Sequence, residues 1–278
     1  MPELPEVETV RRGLEPHVVG RRLERVQILD PRLTRPLPPD EVAAALEGER
    51  VAELDRRGKY LLFRFESGRV LLIHLRMTGG LRHAPAGSPV SELHRRAVLS
   101  LDNGAHVVYR DVRRFGTWIL LEPQELGPYL AARLGAEPFA RGFTAERLAG
   151  RLAGRKTSVK AALLDQRSLA GLGNIYVDEA LWRARVHPLR PAGEVTGAEA
   201  RRLHRAIRQA LRLGIARQGS TLSDYRTADG ARGSMQDEFK VYGREGQPCF
   251  RCCAPIQKTR AGGRGTWYCP SCQPLDGD

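Results

Sequence analysis

Apolar residues recur at Leu4, Val7, Val10 and Leu14, the spacing of one helical face. The charges around them agree: Glu3, Glu6 and Glu8 come early and Arg11 and Arg12 late, an order that suits the helix dipole. The pattern predicts a helix over residues 3–15, ended by Pro16 and Gly20. From 21 to 122 the period shortens. Runs at 23–29, 50–54, 60–65, 70–75, 97–101, 106–109 and 117–121 read as strands. Turn signals at Ser67-Gly68, Thr78-Gly79-Gly80 and Asp102-Asn103-Gly104 separate them. Short strands at this spacing predict a sandwich or barrel, with one helix inserted at 39–47. After a connection over 123–146 that contains a helix, helical texture returns at 144–152, 158–164, 175–185 and 198–218, broken at Gly171, Leu172 and Gly173. Residues 219–233 are polar and glycine-bearing and predict a mobile loop.

The chain has 278 residues, 41% of them apolar, enough for a packed core. It has no run of the ~18 apolar residues that a membrane helix needs, and its start lacks the basic leader and apolar stretch of a secretory signal. A soluble, cytoplasmic chain is expected. The net charge of +13 favours a polyanionic partner, nucleic acid ahead of an acidic membrane surface. Of 45 basic side chains only five are lysines, at 59, 156, 160, 240 and 258. With the many Ala and Gly, that skew has the look of a GC-rich genome, so part of the arginine excess belongs to solvated faces. The retained lysines stand out, because burial can neutralise Lys and not Arg.

All five cysteines fall between 249 and 272. Cys249 and Cys252 form one C-x2-C pair, Cys269 and Cys272 another, with 16 residues between them. Two such knuckles suit tetrahedral zinc, and binding worth ~10–16 kcal/mol would fold the module around the metal. Cys253 stands where a knuckle often wants glycine. It could replace Cys252 as a ligand, but Cys249-x2-Cys252 mirrors the second pair. Residues 261–265 predict a hairpin tip carrying an arginine. A zinc ribbon that merely holds the C-terminus is the bland alternative.

Removal of Met1 would leave Pro2 with a secondary amine, and an α-amino group titrates near ~7.7–8.0, so part of it is a neutral nucleophile at pH 7. Alone, a proline here is only helix-start geometry. Its company adds weight. Pro2-Glu3-Leu4-Pro5-Glu6-Val7-Glu8-Thr9, Arg57-Gly58-Lys59-Tyr60-Leu61-Leu62 and His74-Leu75-Arg76-Met77-Thr78-Gly79 are followed by Arg113-Arg114-Phe115-Gly116, Gly171-Leu172-Gly173-Asn174-Ile175-Tyr176 and Val241-Tyr242-Gly243-Arg244 with the cysteines. In that order they resemble the motifs of the bacterial formamidopyrimidine-DNA glycosylase family, which removes 8-oxoguanine and ring-opened purines. The sister endonuclease VIII family typically opens Pro-Glu-Gly-Pro-Glu, so Leu4 favours the formamidopyrimidine branch.

The resemblance implies an α+β multidomain fold: an N-terminal helix on a two-layer β-sandwich, a helix–two-turn–helix domain and a zinc-ribbon finger. The implied domains are 1–125 for catalysis, 126–233 for DNA binding with a lesion-capping loop at 218–233, and 234–278 for the finger. It implies a monomer of the bacterial cytosol or nucleoid that acts on damaged double-stranded DNA with one structural zinc. The activity implied is that of a bifunctional glycosylase and abasic-site lyase, nicking by β,δ-elimination through a Pro2 Schiff base. Glu3 would be the general acid, Lys59 would assist β-elimination and hold a phosphate, and Arg264 would serve δ-elimination. Arg260 is the rival if the hairpin is shifted. Met77, Arg113 and Phe115 would fill the gap left by a flipped nucleotide. His74, His94, Arg155, Asn174 and Tyr242 would touch DNA, Asn174 while capping a helix. Glu6, Ser220, Thr221 and Tyr225 would line the base pocket.

Each role has a bland counterpart: a dipole-compensating Glu6, a solvated strand Lys59, core positions for Met77 and Phe115, solvated surface for His94 and Arg155. The chain also departs from the family pattern. Val112 stands where proline is common, and Arg76 and Cys253 where glycine is. An endonuclease VIII-like enzyme for oxidised pyrimidines, or a non-catalytic architectural DNA binder, are the competing expectations.

Overall fold

The computed structural model describes residues 2–90 and 93–275, so the expected loss of Met1 lies outside the described residues. The chain forms two compact units. One ends at Ala131 and takes in Ile215–Ser234; the other spans Ala132–Gly214 and resumes at Met235.

In the first unit, helix α1 (Leu4–Val18) buries Leu4, Val7, Val10, Leu14 and Val18 completely. It runs three residues past the predicted end. Pro16 forfeits one bond in the last turn, but its fixed φ is helical and the buried face continues to Val18. Strands β1 (Leu23–Ile28), β2 (Val51–Arg57), β3 (Tyr60–Phe65), β4 (Val70–His74), β5 (Gly79–Ala84), β6 (Arg95–Leu101), β7 (His106–Asp111) and β8 (Thr117–Leu121) follow, with α2 (Pro39–Leu46) after β1 and α3 (Pro123–Ala131) after β8. They pair antiparallel into two four-stranded sheets, β1-β6-β7-β5 and β2-β3-β4-β8. Leu61, Phe63, Leu71 and Ile73 of one sheet share a core with Leu81, Leu99, Val107 and Tyr109 of the other and with α1. This is the expected helix on a two-layer sandwich.

Strand β5 corrects the sequence reading, which took Gly79 and Gly80 for a turn. A Cβ on Gly79 would lie 2.4 Å from the Leu75 carbonyl oxygen and 2.5 Å from the Tyr109 hydroxyl. The glycine serves close approach inside a strand. The 219–233 segment is a loop, as expected, without helix or strand, and hydrogen bonds tie it together. The Ser234 N–H donates to the Arg217 carbonyl (2.8 Å), Gly233 N–H to Thr221 Oγ1 (2.9 Å) and Thr227 N–H to the Ala231 carbonyl (3.0 Å). Ala228 is part of the core.

The second unit holds α4 (Ala145–Leu152), α5 (Val159–Leu164), α6 (Asn174–Ala184), most of α7 (Gly197–Ala216), and the hairpin β9 (Gln257–Ala261) and β10 (Arg264–Tyr268). Thr144 and Ser158 cap their helices by accepting the N–H groups of Arg147 and Ala161. The hairpin turns on Gly262 and Gly263 alone, with φ of 56° and 73°, values that glycine adopts without strain. Among the described residues no helix is long and apolar enough to cross a membrane.

Candidate active site and zinc centre

Pro2 and Glu3 are buried at the entrance to α1, and Glu3 is its N-cap. Glu6 joins this end of the chain to the 218–233 segment. Its Oε2 accepts the Glu3 N–H (2.9 Å) and its Oε1 accepts the Ser220 N–H (2.8 Å). Gly219, at φ 79°, leaves the room: a Cβ there would lie 2.8 Å from Glu6 Cγ. Tyr225 donates its hydroxyl to the Gln218 carbonyl (3.0 Å), and burial, with the Glu6 charge nearby, pushes its pKa up. Thr221 Oγ1 donates to the Tyr225 carbonyl (3.2 Å). Ser220 Oγ is buried without a hydrogen-bond partner among the described residues. Glu6, Ser220, Thr221 and Tyr225 are thus brought together, as bonds that shape the loop beside the N-terminus.

Lys59 is not on a strand. It occupies the tight turn between β2 and β3, after Gly58 at φ 59°, and is only 5% exposed. Helix α1 holds this turn through Glu8, whose Oε2 accepts from Arg56 Nε (3.0 Å) while Arg56 Nη1 donates to the Gly58 carbonyl (3.0 Å). Burial acts to raise the pKa of Glu8, but hydrogen bonds from Arg11 and Arg12 and the charges of Arg11 and Arg56 outweigh it, leaving the carboxyl below its ordinary value. His74 ends β4, opposite Tyr60 in register and edge-on to its ring at 4.7 Å. Its Nδ1 accepts the Arg76 N–H (3.0 Å), so the proton of the neutral ring sits on Nε2. Burial, and then the positive charges of Arg76 and Lys59, push its pKa down to about 3. His74 is a neutral donor.

The expected gap-filling residues face outward to differing degrees. Met77 is half-buried, Arg113 exposed, and Phe115 51% exposed, which removes a core role for the phenylalanine. The Arg113 guanidinium lies 4.7 Å over the Phe115 ring. Arg114 is used differently: at φ 59° it forms a bidentate pair with Asp30 at 2.6 and 2.7 Å. His94 is half-buried with φ 66°, and its carbonyl accepts the Asp111 N–H (3.0 Å).

In the second unit Asn174 does not cap α6. Gly173 is the N-cap, and the Asn174 amide donates to the Gly265 carbonyl (3.0 Å). The same carbonyl accepts from Lys160 Nζ (3.0 Å), which also donates to Thr266 Oγ1 (2.8 Å) and pairs with Asp178 Oδ1 (2.7 Å). Asp178 Oδ2 accepts the Trp267 N–H (3.1 Å). Lys160, Asp178 and Thr266 are fully buried, and the set pins α5 and α6 to β10. Sequence reasoning missed it; the scarcity of lysine was the available signal. Arg264 follows the two-glycine turn, exposed, on the same side of β10 as Thr266. Arg260 is opposite Gly265. Arg155 pairs with Asp165 (3.3 Å). The Tyr242 ring packs on Trp267 at 4.5 Å, and the N–H groups of Lys240, Val241 and Tyr242 all meet Glu179 Oε1.

The Sγ atoms of Cys249, Cys252, Cys269 and Cys272 all lie within 4.8 Å of one another. Separations of 3.9 Å (Cys249 to Cys272), 3.4 Å (Cys252 to Cys269) and 3.5 Å (Cys252 to Cys272) are too long for disulfides. They bracket the ~3.8 Å edge of a tetrahedron with zinc–sulfur bonds of about 2.3 Å. N–H groups of Trp182, Arg251 and Cys272 point at the sulfurs, each at 3.4 Å, and favour thiolates. The set fits one structural zinc. Cys253 lies outside it, in a left-handed conformation (φ 61°) that glycine would adopt freely.

Three family models match the chain: the formamidopyrimidine-DNA glycosylase N-terminal domain at residues 1–118, the formamidopyrimidine-DNA glycosylase H2TH domain at 134–226, and the zinc finger found in FPG and IleRS at 246–275. The formamidopyrimidine-DNA glycosylase of Symbiobacterium thermophilum is 51% identical over 99% of this chain and 90% of its own length. Two solved structures of the Lactococcus lactis protein, a variant with DNA containing Fapy-dG and a complex with abasic-site DNA, are each 38% identical. They superpose with TM-scores of 0.91 and 0.90 over 98% of this chain and 100% and 99% of theirs. On the sandwich, the helical middle, the four-thiol centre and this full-length identity, the chain belongs to the formamidopyrimidine-DNA glycosylase family.

Proposed function

We propose that this protein excises oxidised purines, 8-oxoguanine and formamidopyrimidines, from double-stranded DNA and then nicks the strand at the abasic site. The observation that carries the reading is the full-length match to formamidopyrimidine-DNA glycosylases in a chain that keeps Pro2, Glu3 and Lys59. In the chain without Met1, the Pro2 amine bonds to the sugar C1′ as the bond to the damaged base breaks. Glu3 protonates the sugar ring oxygen as its bond to C1′ breaks, the nitrogen lone pair forms the Schiff base, and loss of a carbon-bound proton at each step then expels the phosphates in β- and then δ-elimination. Lys59, buried at its turn, assists the first elimination; Arg264 serves the second. It stands at the hairpin tip directly after the two-glycine turn, whereas Arg260 lies on the other strand opposite Gly265. His74, His94, Arg155, Asn174 and Tyr242 contact the backbone. Met77, Arg113 and Phe115 enter the gap, and Glu6, Ser220, Thr221 and Tyr225 form the wall of the base pocket. Zinc holds the finger and takes no part in the chemistry. The functional division we propose is 1–125, 126–233 and 234–278, with activity in the bacterial cytosol or nucleoid. Single-turnover excision from 8-oxoguanine:cytosine and thymine-glycol duplexes tests the reading, and the purine lesion should be processed faster. Preference for thymine glycol would install the endonuclease VIII-like reading instead, and binding without cleavage the architectural one.

A further inference from the structure

Asp111, the last residue of β7, is 1% exposed, and both of its carboxylate oxygens are engaged. Oδ1 accepts the Thr78 hydroxyl at 2.5 Å, and Thr78 Oγ1 in turn accepts the Arg113 N–H at 2.9 Å. Oδ2 accepts the Gly116 N–H at 2.8 Å, with the Tyr109 hydroxyl at 3.4 Å. The packing leaves no slack around it: a Cβ on Gly116 would sit 1.6 Å from the Tyr109 hydroxyl and 3.1 Å from Asp111 Oδ2.

We infer that Asp111, through Thr78, is a positioning residue that clamps the turn carrying Met77 to the turn carrying Arg113 and Phe115. The inference rests on the reading of Met77, Arg113 and Phe115 as gap fillers. Thr78 follows Met77 in the chain, Gly116 follows Phe115, and Arg113 is bonded through its own backbone. Each gap-filling side chain is therefore within one residue of a bond to this carboxylate or to the hydroxyl it holds, while its own side chain stays outside the clamp. Three side chains from two loops must enter a duplex together. Fixing the loops beforehand removes the cost of ordering them during base flipping. The chemistry of the hub fits the task. The Asp111 side chain meets O–H and N–H donors on both oxygens, which two acceptor oxygens satisfy and an amide's NH2 does not. Thr78 must donate and accept at once, which Ser can do and Val cannot.

The test uses the full-length, zinc-loaded protein and four variants: Asp111→Asn, Thr78→Val, Thr78→Ser and Met77→Ala. Two reactions are compared: excision of 8-oxoguanine from a duplex, opposite cytosine or adenine, and borohydride trapping of an abasic site in a single strand, which has no opposite base and no gap to fill. Asp111→Asn and Thr78→Val should each slow duplex excision about tenfold relative to single-strand trapping, the scale of one lost hydrogen bond to a charged group. They should also change how strongly excision depends on the base opposite the lesion, and Thr78→Ser should restore both. If the two reactions fall together, if duplex excision is unaffected, or if Ser behaves like Val, the clamp is wrong. Should Asp111→Asn fail to fold, the near-isosteric Thr78→Val decides alone. Met77→Ala separates the two levels. Without a duplex-selective loss in Met77→Ala, the gap-filling reading fails and the clamp falls with it. With that loss in Met77→Ala but not in Thr78→Val, only the clamp is overturned.

Discussion

Arg76, His94 and Arg114 hold positive φ beside the proposed DNA contacts, a conformation that costs a non-glycine residue about 1–2 kcal/mol. For Arg114 the bidentate bond to Asp30 offsets the cost. For Arg76 no such bond is made by its exposed side chain among the described residues, and the N–H that meets His74 would survive in glycine. Arg76→Gly should therefore stabilise the protein by about 1 kcal/mol, a Tm rise of about 2–4 °C by calorimetry; a lower Tm would contradict the strain. The sequence flagged Arg76 and Cys253 as departures from a glycine pattern, and the backbone supplies the reason.

His74 carries a prediction about pH. Its folded pKa lies near 3 against an ordinary 6.5, so the unfolded chain binds the proton more readily. Stability should fall as pH drops below about 6.5 and keep falling towards 3, and His74→Gln should flatten that slope in denaturant titrations. A His74 ring that titrates between pH 5 and 8 by NMR would contradict its burial. Glu8 acts in the same direction lower on the scale. Its depressed carboxyl contributes stability above its ordinary 4.5, which is lost as pH falls through the folded value.

Elements with clean periodicity were legible: α1, most strands of the sandwich, α4 to α7 and the knuckles. β5 was not, because Gly79 and Gly80 carry a turn's signature while serving close approach to Leu75 and Tyr109. The 219–233 segment was legible as a loop, but the bonds that shape it, such as the Gly233 N–H to Thr221 Oγ1, leave no period in the chain. The Lys160–Asp178 pair and Asp111 are products of long-range packing, which spacing does not encode. Lys160→Met should cost about 3–5 kcal/mol, because it leaves Asp178 buried without its partner, and adding Asp178→Leu should recover most of the loss. Denaturant midpoints measure both, and a neutral Lys160→Met would contradict the arrangement. Stripping zinc with a chelator should unfold the Cys249–Cys272 hairpin, seen as a change in Trp267 emission, while the sandwich's circular dichroism persists. An unchanged hairpin would show that the metal is dispensable.

For the molecule as a whole, the order of motifs along 278 residues already carries the likeness to the family, and the full-length relatives agree. The net charge of +13 suits a DNA partner without identifying one. The structure's own contribution is local: Glu6 ties the N-terminus to the loop, Glu8 and Arg56 support the Lys59 turn, and Lys160 anchors the strand that begins with Arg264. All of these arrangements serve one chemical claim, that the Pro2 amine is the nucleophile. The direct measurement is mass spectrometry of the borohydride-trapped adduct with 8-oxoguanine DNA, digested and mapped. The account predicts the sugar remnant on the N-terminal peptide that begins at Pro2. An adduct mapped to Lys59 or any other lysine, or no adduct from protein whose Met1 has been removed, would contradict it.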